Sequence, residues 1–229
     1  MNSGTTAVFW GALTVSVYAG ARVINSRRAR WWTSPMLVTW AVCGVVVVAL
    51  HASYQEYLSG THWLIFLLGP ATVAFAIPIH RHRALIRRHW LMLTIGIVTG
   101  SALALASSWL LAGLFDLTPE LRASLLPRSI TTPLAMSTSR ALGGLPELTA
   151  SFTAITGLFG AAVGDLLLSC LPVRSAFARG AMYGLGAHGA GVAKAREIGE
   201  QEGAIAGLIM VLAGLVTVIG VALAIWLFA

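Results

Sequence analysis

The chain has 229 residues, 57% of them hydrophobic and 10% charged, with a mean hydropathy of +0.82. A soluble domain carries about 25% charged residues, so this balance excludes one and indicates an integral membrane protein. The net charge of +7 does not mark a nucleic-acid partner, because the arginines sit between apolar runs instead of forming a basic domain.

Met1–Ala21, Trp31–Gln55, Tyr57–His80, His89–Phe115 and Gly203–Ala229 contain no Lys, Arg, Asp or Glu. Each is long enough for a helix to cross a hydrocarbon core, which takes about 20 residues. Their Leu/Ala/Gly composition lacks the two-residue alternation of a membrane barrel, so the expected class is an all-α polytopic membrane protein. In chain order the predicted segments are about Thr6–Ile24, Ser34–Ala52, Thr61–Ile79 and Leu91–Phe115, then Ser129–Gly143, Leu148–Leu171, Ala178–Ala193 and Gly203–Phe228. Arg22, Arg27, Arg28 and Arg30 follow the first, and Arg81, Arg83, Arg87 and Arg88 follow the third. Positive loops of this kind face the cytoplasm, which places the N-terminus outside a cytoplasmic membrane. The run before Arg22 has no basic n-region, so it reads as a retained first helix and not a cleaved signal. Cys43 and Cys170 lie in apolar stretches and read as buried packing residues.

A shift of 117 residues carries Gly69 onto Gly186 and superposes the two sets of segments, so the chain reads as two related halves, 1–117 and 118–229. The match is one of pattern, as in transporter repeats. Positive charge moves between loops in the second half, which favours an inverted repeat. Inversion needs an odd number of crossings per half, which would require broken or re-entrant segments. Gly96/Gly100, Gly160/Gly164, Gly180/Gly184 and Gly203/Gly207 have the spacing that lets membrane helices approach closely, and one such pair could serve a homo-oligomer.

Two proline motifs interrupt the apolar pattern. In Gly69-Pro70-Ala71-Thr72 and Thr131-Thr132-Pro133-Leu134, a proline follows a residue suited to capping a helix, Gly69 in one and Thr132 in the other. Each reads either as a kinked helix whose hydroxyls bond back to their own turn, or as a half-helix whose N-terminus faces an anion. Ser129, Thr131, Thr132 and Thr72 supply hydroxyls there. Arg128 sits at a segment edge, fit either to snorkel or to pair with a carboxylate. His188, in a Gly-rich stretch, is either a packing histidine or a functional group inside the membrane. His80, His82 and His89 read as solvated residues of an arginine-rich loop. No catalytic triad, zinc helix, phosphate loop or other cofactor motif occurs, so an enzyme is not expected.

The blocks "LLGPATVAFAIPIHRHR", "LPRSITTPLAMSTSRALGGLPELTASFTAITGLFGAAVG" and "ARGAMYGLGAHGAGVAKAREIGEQEGAIAGLIMVLAG" resemble the LrgB/CidB family in order and spacing, over about Leu67–Gly214. That family includes the membrane half of the plastidal glycolate/glycerate translocator. The resemblance implies movement of small 2-hydroxy or 2-oxo monocarboxylates such as glycolate, glycerate or pyruvate. It also implies a second role attached to bacterial members, antiholin-like regulation of murein hydrolase export and lysis, beside a small LrgA/CidA-type membrane partner. Carried over, the family's motifs fall on Pro70, Thr72, Ser129, Thr131, Thr132, Pro133, His188 and Gly191, with Arg128 standing where the family tends to have lysine. Val192 stands where it tends to have threonine.

Overall fold

The computed structural model describes residues 3–27, 33–74 and 76–228; Arg28 and Arg30 of the first positive loop lie outside them. Among the described residues every regular element is helical: α1 Ser3–Arg27, α2 Pro35–Ala49, α3 Tyr54–Phe66, α4 Leu68–Ala74, α5 Ala76–Arg81, α6 Arg83–Leu114, α7 Pro119–Leu125, α8 Thr132–Ala141, α9 Pro146–Cys170, α10 Ala176–Ile198 and α11 Glu200–Phe228. A short 3-10 segment, Leu126–Ser129, links α7 to α8. The starts follow from the sequence. Proline opens α2, α7 and α9, where its missing N–H costs nothing. Ser53 and Glu56 close a capping box at the start of α3.

Among the described residues α1, α6, α9 and α11 are long and apolar enough to cross a membrane. Their exposed Leu103, Leu110, Leu114 and Ile219 are the surface that hydrocarbon would solvate. Two expected segments are built differently. Thr61–Ile79 is divided among α3, α4 and α5, with prolines at Pro70 and Pro78. Ser129–Gly143 holds only the ten-residue α8, about 15 Å long and too short to cross.

The chain forms two compact units, Met1–Ala71 and Thr72–Ala229. In the first, α1 packs on α2 and α3. Gly60 lies so close to α1 that a methyl group there would strike Ala7 and Trp10. Trp10 is buried and meets the Tyr57 ring edge-on at 5.5 Å, and the Tyr57 hydroxyl lies 3.1 Å from that of Thr14.

In the second unit α6, α9 and α11 surround the segments between them. Leu93 and Ile97 of α6 pack with Ile205, Ile209 and Ala213 of α11. Small residues bring α10 against both neighbours: Gly160 of α9 faces the Gly186 carbonyl, and Gly184 faces Ala206 of α11. Gly100, Gly160, Gly164, Gly180 and Gly184 therefore serve packing inside this unit, whereas Gly96 faces open space.

Three expectations need correction. Cys43 is buried but Cys170 is exposed at the end of α9. Arg83–Arg88 and His89 form the first turns of α6, not a loop; His82 precedes the helix and His89 sits at a kink, its ring 5.3 Å from that of Phe177. In the first proline motif the helix begins at Leu68, so Gly69 is not its cap and Pro70 is its third residue, still within the turn whose N–H groups have no partner.

Candidate functional site

Two segments of the second unit fold back on themselves. The first runs inward through α7 and the 3-10 turn and outward through α8. Pro127 and an extended Ile130 (φ −125°, ψ 171°) break the helix between them. Ser124 and Ser139, one on each arm, meet at the base. The Thr149 hydroxyl of α9 reaches the Ser124 carbonyl oxygen at 2.9 Å and the Ser139 hydroxyl at 2.7 Å. The Leu145 N–H donates to the Ser124 hydroxyl at 2.7 Å.

The second reversal lies within α10. His188 has φ 39° and ψ −120°, a backbone no helix contains, and it divides the element into two arms. A Cβ on Gly191 would collide with the Tyr183 carbonyl, eight residues back, which a continuous helix would hold about 12 Å away. At the base Asp165 of α9 ties the arms together. The Tyr183 hydroxyl donates to one of its oxygens, and Lys194 lies 3.1 Å from the other.

Helix α9 shows how the hairpins are related. The first has its base at Thr149 and its tip residue Arg128 at Thr156; the second has its base at Asp165 and its tip residue His188 at Gly157. They enter from opposite ends of α9 and meet near its middle.

At that junction the Arg128 Nε donates to the Ser108 hydroxyl of α6 at 3.0 Å, and Nη1 donates to the Thr156 hydroxyl at 3.4 Å. Those bonds use two of five guanidinium donors. Arg128 is half-buried and makes no ion pair among the described residues. His188 is 3% exposed; its Nδ1 faces Gly157, while its buried Nε2 has no hydrogen-bond partner. The 3-10 segment that carries Arg128 packs against α10. A half-buried cation short of a counterion and a buried ring nitrogen without a partner are costly unless something polar joins them.

Helix α8 starts at this tip. Its N-cap is Thr131, not Thr132, and the Thr131 side chain makes no capping bond. Thr132 and Pro133 are its first two residues. Thr131 is buried beside Gly214, the middle of α11, and Ser129 and Thr132 are half-buried. These three hydroxyls take no partner among the described residues, whereas Ser137 and Thr138, one turn on, bond back to the Leu134 carbonyl at 2.9 and 2.8 Å. Between Ser129 and Arg140, then, the hydroxyls at the helix start are free of such bonds and those of Ser137 and Thr138 further along bond back to their own helix.

The hairpins bring Arg128, Ser129, Thr131, Thr132, Pro133 and His188 to one region. Gly191 serves the close approach of the hairpin arms. Pro70 is exposed in the first unit; Thr72, half-buried, opens the second. Sequence reasoning missed Ser108, Thr156 and Gly157. Their signal was present as hydroxyls and a glycine within apolar runs, with Ser108 on α6 and Thr156 on α9 receiving Arg128.

Comparison with known proteins adds the lineage. The model of the LrgB-like family matches residues 14–227. The chain is 38% identical over 205 residues to Uncharacterized protein YwbG of Bacillus subtilis (strain 168), covering 90% of this chain and 91% of that protein. It is 34% identical over 167 residues to the Antiholin-like protein LrgB of the same organism, covering 73% of this chain and 72% of that one. It is 28% identical to the Holin-like protein CidB of Staphylococcus epidermidis (strain ATCC 35984 / DSM 28319 / BCRC 17069 / CCUG 31568 / BM 3577 / RP62A) over the full length of both. No solved structure matches.

Proposed function

The chain belongs to the LrgB-like family and is a multi-pass membrane protein, and we propose that it carries small 2-hydroxy or 2-oxo monocarboxylates, of the glycolate, glycerate and pyruvate class, by secondary transport. The observation that carries this reading is Arg128. It stands at the meeting point of two opposed hairpins with most of its donors unused and no carboxylate beside it. A small carboxylate would neutralise it. The α8 N-terminus, with the Thr131 and Thr132 hydroxyls, would add donors and the positive end of a helix dipole. Nε2 of His188 would meet the substrate's hydroxyl or oxo oxygen. Opposed hairpins whose tips share a site are suited to alternating access, since moving one opens the site toward one side only.

The test is uptake of radiolabelled glycolate and pyruvate by proteoliposomes, with and without an LrgA/CidA-type partner. Saturable, substrate-dependent flux is the expected result. Absence of flux in both preparations would favour the second reading, antiholin-like regulation of lysis, which the names of two relatives fit. Cysteine labelling tests the geometry and the assignment to a cytoplasmic membrane with its N-terminus outside. Cysteines at Gly143 and Ser175, beside the two hairpin bases, should react with an impermeant reagent from opposite sides of the membrane. One at Ala84 should react only from the cytoplasm.

A further inference from the structure

Between the hairpins lies a cavity of about 20 Å³, room for one water-sized occupant. Its wall is formed by Gly100 and Ser101 of α6, Ser129 and Ile130 of the first hairpin tip, Leu185 of the second hairpin and Thr217 of α11. Ser101 is 7% exposed, and its Oγ is shut off from solvent without a hydrogen-bond partner. Several hydroxyls on the long helices bond back one turn, as those of Thr14, Thr99, Ser108 and Thr153 do at 2.6–2.9 Å, but that of Ser101 does not. Thr217 is 3% exposed and makes no such bond either. Two helices therefore each turn a hydroxyl away from its own backbone and toward the same small space. Ser129 adds a third. The carbonyls of Ser129 and Ile130, in the unwound tip, accept no backbone hydrogen bond among the described residues.

We infer that this cavity is a binding site for a sodium-sized monovalent cation, coupled to occupancy of the hairpin tips. The donor set is oxygen only, from hydroxyls and unwound backbone, the chemistry that holds sodium in transporters with broken helices. No carboxylate lines it, which disfavours a divalent ion. The Arg128 guanidinium bonds Ser108, two turns along α6 from Ser101 and about 10 Å away. A cation there is repelled while that charge is uncompensated and accepted once a carboxylate neutralises it. By linkage, each ligand then tightens the other. This coupling rests on the transport reading; the site itself does not.

The test separates the two. Purified protein in detergent, free of carboxylate substrates, is melted in NaCl, KCl and choline chloride at equal ionic strength. Sodium alone should raise Tm, saturably. Ser101→Ala with Thr217→Val should abolish the rise; if that variant does not fold, Thr217→Val alone should shift the midpoint sodium concentration upward by roughly tenfold, the loss of one ligand. Equal melting in all three salts, or a sodium effect unchanged in these variants, would overturn the site and leave a single bridging water in its place. Glycolate uptake driven by an inward sodium gradient at fixed pH and potential then tests the coupling. A sodium-dependent melt without uptake keeps the cation site and removes the transport reading. Sodium-independent uptake with an unchanged melt does the reverse.

Discussion

The two hairpins meet at the same level of α9 but are made by different physics. The first reverses over several residues, using Pro127, a 3-10 turn and an extended Ile130, all in ordinary backbone regions. Its base is neutral and sealed: Ser124, Ser139 and Thr149 are each 0% exposed and bonded to one another. The second reverses at a single residue, His188, in a left-handed conformation that favours glycine. Its base is ionic and half-open, with the side chains of Lys194 and Asp165 34% and 46% exposed. A satisfied buried network holds one arrangement strongly, whereas exposed ion pairs contribute little. The comparison teaches a division of labour. On the transport reading the first hairpin would be the fixed wall that carries charge and hydroxyls, and the second, held at its base by a half-exposed ion pair, the part that moves.

The largest effect should come from removing the charge of the fixed wall. Arg128→Met discards two or more hydrogen bonds to a carboxylate, each worth about 1.5–3 kcal/mol. Apparent affinity in uptake assays should fall by more than about a hundredfold. Tm should change little, because the two hydrogen bonds lost are offset by removing a half-buried charge that has no counterion. Loss of both activity and Tm would make Arg128 a structural residue.

Next is Thr131→Val with Thr132→Val, expected to weaken apparent affinity about a hundredfold at most if both hydroxyls contact substrate. Neither is tied to its own helix, so folding should be intact. Ser137→Ala with Thr138→Val is the matched control, since those hydroxyls bond back to Leu134. Equal effects from the two pairs would put the site elsewhere.

His188→Gly should lower uptake by roughly tenfold, about the value of one hydrogen bond. It should also raise Tm, since a left-handed non-glycine residue carries about 1–3 kcal/mol of strain. A fall in Tm would mean the ring is held for packing.

The smallest effects concern the bases. Asp165→Asn should lower Tm by only a degree or two, given about 0–1 kcal/mol for an exposed pair. If the second hairpin moves, it should nonetheless speed maleimide labelling of a cysteine at Ala190, beside its tip. Thr149→Val, at the sealed base, should lower Tm more and leave that labelling rate unchanged. The opposite pattern would exchange the roles of the hairpins.

Sequence by itself determined the membrane class, the spans that became α1, α6, α9 and α11, and the stretch from Arg128 to Pro133 as a polar interruption. These are local properties: apolar length, a proline's missing N–H and a run of hydroxyls are visible wherever they occur. Only the tertiary structure decided that Ala176–Ile198 doubles back. A Gly/Ala-rich apolar run satisfies its backbone equally as one helix or two, and the choice rests on one φ angle at His188. Tertiary structure also joined Arg128 to Ser108 and Thr156, 20 and 28 residues away in opposite directions along the chain. It assigned the Asp165–Tyr183–Lys194 tie and moved the cap from Thr132 to Thr131. Hydropathy measures how much chain a bilayer can hold. It has no term for which tip meets which helix, because that depends on packing between residues far apart in sequence.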